Sequence, residues 1–572
     1  MNHAKYTMTA TQIPSEILSD PELGLLSREC LTILSKRGLN TVAEIKHFIH
    51  DDLSAVTASY TMKGTAEAVE ILKSAAGEKA RVVVYRDYDC DGISAGAVAV
   101  QCLRNLGIKA EQYANERGID GFGMCPAGVD NIMSKWPDTK VIMTVDNGIT
   151  AFDGAAQAAK YPGLKVIITD HHEAGSTLPI ADSIIDPKQP GETYGYQHLC
   201  GAGVVFKLML ALYIGMRKNI KPVVDMIDIV ALATVADVVP LIGENHTIVK
   251  EGIEKIKTGD RLFFNSLIQK LEIKSIKASG ALAFKLGPLV NAVSRMDEDT
   301  NMVVEMMLSN DQVFVDQCAD KLIEINEDRK SLTDFQFEWF SAEAEKILAG
   351  NPNATSVVLR NDRATEGIVG IIAGRLKESL GKPVVVFAYN QNSGLLKGSA
   401  RCGSCFHLKN ALDKIPAGIL EGYGGHTKAA GLSVKPENYE RFVKEFTKIT
   451  DAELRGKDTA EPREIDLALT ERDCTEQLCH ELDMLEPYGE GFAPPLFGLK
   501  AEPTRASFMG TNLVHLKYIL ADGTAVILWN EAERQREREK QGKGMPKKFI
   551  GCPAINAFRG SVSIQFMAEY AG

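Results

Sequence analysis

The chain has 572 residues, too many for one hydrophobic core, and its length predicts roughly three or four domains. Hydrophobic residues make up 45% and charged residues 24%, an ordinary soluble balance. No apolar run reaches the ~18 residues of a membrane span, and no basic-then-apolar leader opens the chain, so the expectation is a cytoplasmic protein with no membrane partner. The net charge of −11 argues against broad electrostatic binding of nucleic acid, but it is compatible with a local positive groove.

Residues 1–70 read as an N-terminal helical segment. Leu31, Leu34, Ile45 and Phe48 fall at helical spacing, and Arg37-Gly38-Leu39-Asn40 reads as a helix end and turn. Between residues 75 and 245, short β-rich runs alternate with helical stretches, the pattern of a parallel α/β sheet. Arg81-Val82-Val83-Val84-Tyr85 runs into Asp87-Tyr88-Asp89-Cys90-Asp91-Gly92. Val141-Ile142-Met143-Thr144-Val145 runs into Asp146-Asn147-Gly148, and Val166-Ile167-Ile168-Thr169 into Asp170-His171-His172. A fourth acidic segment, Thr234-Val235-Ala236-Asp237, lies in the apolar helical stretch Ile227–Val239.

Such sheets carry their sites beyond the carboxyl ends of the strands. The acidic segments should therefore converge on one rim, a ligand set for hard divalent cations. If the first strand continues, Asp87, Asp89 and Asp91 point to one side, where three like charges repel unless a cation lies between them. A calcium loop would need a bidentate Glu at its twelfth position, where Val98 stands. Adjacent strand residues point opposite ways, so one of His171 and His172 can ligate while the other faces substrate.

Residues 302–349 lack Pro and Gly and predict one long connector helix or two. A second α/β segment begins near Ser356-Val357-Val358-Leu359 and includes the strand-like Pro383-Val384-Val385-Val386-Phe387. Residues 450–465 read as a polar linker. The last hundred residues hold alternating strands, His515–Leu520 and Ser561–Phe566 among them, and predict a small β-barrel. The mixed-charge run Glu531–Lys540 reads as a solvated helix, with a DNA-contact patch as the alternative. The 11 cysteines, odd in number and scattered, argue for a reducing compartment. Cys402-Gly403-Ser404-Cys405 has no second pair to complete a zinc site.

The four acidic motifs resemble those of the DHH phosphoesterase superfamily. Lys397-Gly398-Ser399-Ala400-Arg401 and Gly424-Gly425-His426-Thr427-Lys428-Ala429-Ala430-Gly431 resemble its DHH-associated domain. Asn291-Ala292-Val293-Ser294-Arg295 and Leu485-Glu486-Pro487-Tyr488-Gly489 are similar to segments of the RecJ family, bacterial single-strand-specific 5′→3′ DNA exonucleases. The resemblance runs in order from about residue 25 to the C-terminus. It implies a DHH domain over 71–300, a connector helix over 301–349, a DHH-associated domain over 350–450 and an OB-like nucleic-acid-binding domain over 460–572.

It also implies two divalent cations, manganese or magnesium. Asp87 and Asp89 would hold one, Asp91, His171 and Asp237 the other, with Asp146 bridging, and His172 would face the scissile phosphate. Arg117, Ser399 and Arg401 would grip a 5′-terminal phosphate, Phe122 would lie near the bases, and Asn291, Arg295 and His426 would line the cleft. The implied activity is two-metal hydrolysis of single-stranded DNA to mononucleotides in repair or recombination. The implied protein is a monomer that meets a single-strand-binding protein or a helicase. The alternatives are a short-oligonucleotide or cyclic-dinucleotide phosphodiesterase of the same superfamily, or a non-catalytic replication scaffold. The chain departs from the family pattern in three places. Tyr85-Arg86 stands where several relatives have a His, Asn245-His246 stands for Asn-Arg, and Ser294 replaces a Gly.

Overall fold

The apolar runs of the first half form five parallel strands: β1 (Arg81–Arg86), β2 (Lys109–Ala114), β3 (Thr139–Val145), β4 (Lys165–Thr169) and β5 (Ser183–Ile185), in the order β2-β1-β3-β4-β5. Strand periodicity sends alternate residues to opposite faces. Val82, Val84, Val141 and Met143 join one core, and Val83, Tyr85, Ile142 and Ile168 the other. Both faces are therefore covered by helices, as a parallel sheet requires. On the first face lie α1 (Cys90–Asn105), α2 (Gly201–Gly215) and α3 (Ile227–Ala236). On the second lie the helices Pro126–Lys135 and Phe152–Ala158.

The computed structural model describes residues 6–57, 62–115, 123–274, 276, 279–459, 462–510, 512–558 and 561–572. The chain divides into two units, one of Leu53–Glu461 and one of His3–Asp52 with Pro462–Gly572.

In the first unit, a π-helical turn (Leu282–Leu286) leads into α4 (Gly287–Arg295). The predicted connector is two helices, Asn301–Leu308 and the 39-residue α5 (Gln312–Gly350). At 1.5 Å per residue α5 is about 58 Å long, and it serves two cores. Val315, Ala319 and Leu322 pack with the parallel sheet's helices, whereas Phe340 and Ala344 pack under a second sheet. That sheet comprises β6 (Val357–Asn361), β7 (Val384–Asn390), β8 (Leu395–Arg401), β9 (Leu420–Gly425) and β10 (Ala429–Val434), ordered β9-β10-β8-β7-β6. Only β6 and β7 run parallel. Helix α6 (Val369–Leu380) covers one face. The helix Tyr439–Leu454 extends into the stretch read as linker.

The second unit holds a seven-stranded mixed sheet: β11 (Leu467–Leu469), β12 (Phe497–Lys500), β13 (Pro503–Met509), β14 (His515–Leu520), β15 (Ala525–Leu528), β16 (Lys548–Phe558) and β17 (Ser561–Ala571). N-terminal helices belong to this unit. Arg37 meets Asp466 through two hydrogen bonds of 2.7 and 3.1 Å, and the Ser27 amide donates to Glu481 at 2.9 Å. The charged run forms the helix Ala532–Lys540, but it is not wholly solvated. Gln535 is buried and accepts from the Tyr518 hydroxyl at 2.6 Å. Arg534 and Arg536 lie over the rings of Tyr570 and Phe508.

Candidate metal centre and phosphate pocket

Strand β1 ends at Arg86, so Asp87, Asp89 and Asp91 are not three outward positions of one strand. Their alternation has another cause. Asp89 is the N-cap of α1, accepting from the amides of Asp91 and Gly92 at 3.0 Å, and Asp91 lies in the first helical turn. The turn is tight because Gly92 has no Cβ; one there would stand 2.7 Å from Asp87 backbone atoms.

Asp91 is buried, and its oxygens accept from the amides of Gly201 and Ala202 at 2.6 and 2.8 Å. Those amides open α2, so a carboxylate sits at a helix N-terminus that favours it. Asp146 follows β3 in the left-handed region, at φ 60°. Gly201 packs against it: a Cβ there would lie 2.5 Å from the Asp146 Cβ. Helix α3 stops at Ala236, Asp237 is its C-cap, and Val238 has φ 59°. Asp237 therefore leaves the helix instead of lying within it.

Among the described residues three sets of ligand atoms come together, each set within 4.8 Å of one another: Asp87, Asp89 and Asp146; Asp91, His171 and Asp237; Asp146, His171 and His172. Asp146 belongs to two of these sets, and through His171 it adjoins the third. The His171 Nε2 lies 3.1 Å from Asp146, 3.6 Å from Asp237 and 3.7 Å from Asp91. Yet Asp146 Oδ1 and both His171 ring nitrogens are buried and make no hydrogen bond. Buried orphaned polar atoms are rare because they are costly, and cations between Asp146 and His171 would satisfy atoms on both. Carboxylate oxygens with one imidazole suit manganese or magnesium, so the residues present fit two divalent ions.

The charge states agree. Burial and then the Asp89 charge push Asp91 up to about 6. Burial and the neighbouring aspartates raise Asp146 and Asp237 further. Burial, then His172, lowers His171 to about 3, leaving it a neutral ligand. His172 differs. Burial is the largest influence and opposes its charge, but the 2.7 Å contact of its Nδ1 with Asp170 and the charges of Asp170, Asp237 and Asp87 together outweigh burial and bring it to about 9. Asp170 is itself held by the Ile149 amide at 2.9 Å and the His171 amide at 2.7 Å.

Arg86 is wholly buried behind this rim. It bonds to Gln112, the Asp87 carbonyl, Thr300 and Asn301 at 2.9–3.1 Å, which makes it a strut between β1 and the loop before Asn301. Asn291 accepts from the Cys90 amide at 2.9 Å and so steadies the start of α1.

On β8, Ser399 and Arg401 share a face, with Arg401 donating to the Ser399 hydroxyl at 2.9 Å. They line a cavity of about 640 Å³ together with Arg295, Lys397 and Tyr423. Arg295 also donates to the Gly367 carbonyl at 3.1 Å; a Cβ on Gly367 would sit 2.0 Å from the Arg295 carbonyl oxygen. His426 is exposed at the β9–β10 turn, and its charge lowers His171. Arg117 and Phe122 lie outside the described residues. Cys402 is buried, its thiol donating to the Phe406 carbonyl at 3.2 Å, and Cys405 is exposed; neither is in a disulfide. Asn245 and His246 are buried.

Sequence reasoning passed over Asp186 and Lys188, just beyond β5. The signal was present: the short run Ser183-Ile184-Ile185 ends in Asp-Pro-Lys, another strand end with charged residues.

Residues 81–234 match the family described as DHH family, N-terminal domain, residues 352–451 the DHHA1 domain, and residues 465–570 the RecJ OB domain. The chain is 32% identical to the single-stranded-DNA-specific exonuclease RecJ of Bacillus subtilis, over 94% of this chain and 67% of that protein. It is 31% identical to RecJ of Escherichia coli, over 94% of both. The crystal structure of Thermus thermophilus RecJ in complex with Mn2+ superposes with a TM-score of 0.81 at 26% identity, covering 99% of this chain and 78% of that one. The same protein with Mg2+ gives 0.75 at 25% identity, covering 99% and 77%. The parallel sheet, its acidic rim and the second α/β domain are those of a DHH phosphoesterase. Within that class the chain belongs to the RecJ family of single-stranded-DNA-specific exonucleases.

Proposed function

We propose that the chain degrades single-stranded DNA from a phosphorylated 5′ end and releases mononucleotides. The observation that carries this reading is the position of Asp146, in one ligand set with Asp87 and Asp89 and beside His171, which joins Asp91 and Asp237. Asp87 and Asp89 would hold one ion, Asp91, His171 and Asp237 the other, and Asp146 both. Manganese or magnesium held there would supply Lewis-acid activation of water and of the scissile phosphate.

The other roles belong to the chain's own side chains. Asp170 keeps His172 oriented and charged, so His172 can hold a phosphate oxygen or donate a proton to the leaving group. Ser399, Arg401 and Arg295 line one cavity, which supports its use in 5′-phosphate recognition and thus polarity; Arg117 is proposed as its further member. His426 and Asn291 would line the cleft, and Phe122 is proposed as the aromatic that meets the bases. The OB-like domain would add grip on single strands by stacking and charge. The chain works as a monomer in the cytoplasm, in repair or recombination, on single strands exposed by a helicase or covered by a single-strand-binding protein. No helix is long and apolar enough to cross a membrane among the described residues.

The test is digestion of 5′-labelled and 3′-labelled single strands and duplexes with manganese, following product length over time. Mononucleotides released first from the 5′ label support the reading. Release first from the 3′ label, or equal attack on duplex, refutes it.

A further inference from the structure

The turn after β5 brings one more charged group to the metal rim. The Asp170 amide donates to the Ile185 carbonyl at 3.1 Å, so the end of β5 lies against the Asp170-His171-His172 segment. The turn that follows is pinned. Asp186 is buried and accepts from the Lys188 amide at 2.7 Å, while Gln189 donates to the carbonyls of Ile184 and Lys63 at 3.0 and 3.2 Å. The Lys188 Nζ then stands 3.4 Å from Glu173, the residue after His172.

Glu173 is the exposed partner of this pair, 69% against 24% for the Lys188 side chain, so substrate can displace the carboxylate while the pinned turn keeps the lysine stem in place. Lys188 also acts on the centre: its charge lowers both His171 and Asp237. Charge counting gives it a task. Asp87, Asp89, Asp91, Asp146 and Asp237 outweigh two divalent ions, and a phosphodiester adds a further negative charge. Hydrolysis adds more, in a transition state that fixed cations stabilise.

We propose that Lys188 is a catalytic residue that contacts a non-bridging oxygen of the scissile phosphodiester, with Glu173 holding its ammonium until substrate displaces the pair. This rests on the exonuclease reading above. Lys188 supplies a point charge that the ions do not, and the Asp186 turn sets its reach.

The test uses the full chain with Mn2+ and three variants, Lys188→Met, Lys188→Arg and Glu173→Gln. Two substrates are compared, a 5′-phosphorylated single strand and the small diester bis(p-nitrophenyl) phosphate, and Mn2+ binding is followed by calorimetry. Loss of one fixed cation at a phosphoryl centre costs about a hundredfold in rate. Lys188→Met should lose that much kcat/KM on both substrates, with Lys188→Arg recovering part. Its Mn2+ affinity should be unchanged or tighter, since a positive charge has been removed. Glu173→Gln should lower KM for the single strand, because the competitor for Lys188 is gone. Parent-like turnover of both substrates by Lys188→Met overturns the proposal. So does weakened Mn2+ binding that accounts for the loss, or a Glu173→Gln defect resembling that of Lys188→Met. If the parent hydrolyses the small diester but not single strands, the exonuclease reading fails while the Lys188 contact is still judged on the diester.

Discussion

Asp146 is the residue on which the centre turns. It accepts a left-handed φ of 60° and near-complete burial, a strain of roughly 1–3 kcal/mol held in place only where surroundings enforce it. Its Oδ1 has no hydrogen bond. Asp146→Ala should abolish hydrolysis and lower Mn2+ stoichiometry or affinity while leaving the fold intact, as checked by turnover, calorimetry and circular dichroism. Near-normal turnover with metal supplied would remove Asp146 from its bridging role. Arg401 makes a separable case. It is largely buried and burial lowers its basicity, with Ser399 and the Ala400 carbonyl as its partners. Arg401→Ala should erase any preference for a 5′-phosphate over a 5′-hydroxyl while leaving Mn2+ affinity near the parent value. Undiminished discrimination would place the phosphate pocket elsewhere.

At the scale of elements, the decisive contact is the start of α2 against the end of β3. Gly201 and Ala202 donate to Asp91, and Gly201 leaves no room between the helix and Asp146. A methyl at Gly201 must push the two apart, since the clash is with a backbone-anchored Cβ and not with a flexible tip. Gly201→Ala should weaken Mn2+ binding by about tenfold or more, the usual cost of disturbing groups that orient ligands. Unaltered helix content with that loss would locate the effect at the site. Parent-like affinity would show that the α2–β3 contact yields without consequence. Helix α5 works at the same scale: by packing into two cores it makes the parallel sheet with its acidic rim and the sheet that carries Ser399 and Arg401 parts of one unit.

For the whole molecule, the metal-free centre is a liability that grows with pH. Asp91 is at about 6 in the fold against about 3.9 unfolded. The folded chain therefore binds more protons across that window, and stability falls as pH rises through it. His172, raised to about 9, stabilises fully below about 6.5, and that contribution is lost as pH rises through 9. These two signs agree, and His171, lowered to about 3, opposes them only below about 6.5, where the unfolded chain binds its proton and the folded chain does not. Thermal unfolding with a chelator should therefore show Tm falling from about pH 6.5 to about pH 9, and added Mn2+ should raise Tm more at about pH 8 than at about pH 5. A chelated protein with flat or rising Tm over this range would contradict the charge assignments. The second unit permits another whole-molecule test. Its sheet and the helices before Asp52 form one unit, so both segments should be removed together. The chain 53–461 should still cleave very short oligonucleotides but lose tight binding and long processive runs on long strands, where each stacked base is worth ~1–3 kcal/mol. Equal processivity would deny the unit its role in grip.

Much of this was readable along the chain because it is local. Strand periodicity and β-branched runs specify β1, β3 and β4, and each runs directly into its acidic motif. The composition of residues 302–349 specifies helix for the same reason. The metal-site residue types were legible as well, since few functions explain so many aspartates at strand ends. What local pattern misjudged was the cause of the Asp87, Asp89, Asp91 spacing, which comes from a helix cap and first turn and not from a continuing strand. Only the tertiary structure decided which groups meet. It placed Arg86 as a strut, Asn291 on the Cys90 amide, Lys188 beside Glu173, and N-terminal helices with a sheet more than 400 residues later, as Arg37 with Asp466 shows. Sequence determines the conformational preferences of neighbours through sterics and burial. Contacts between distant segments depend on how several such elements fill one volume, and that selection is made only by packing.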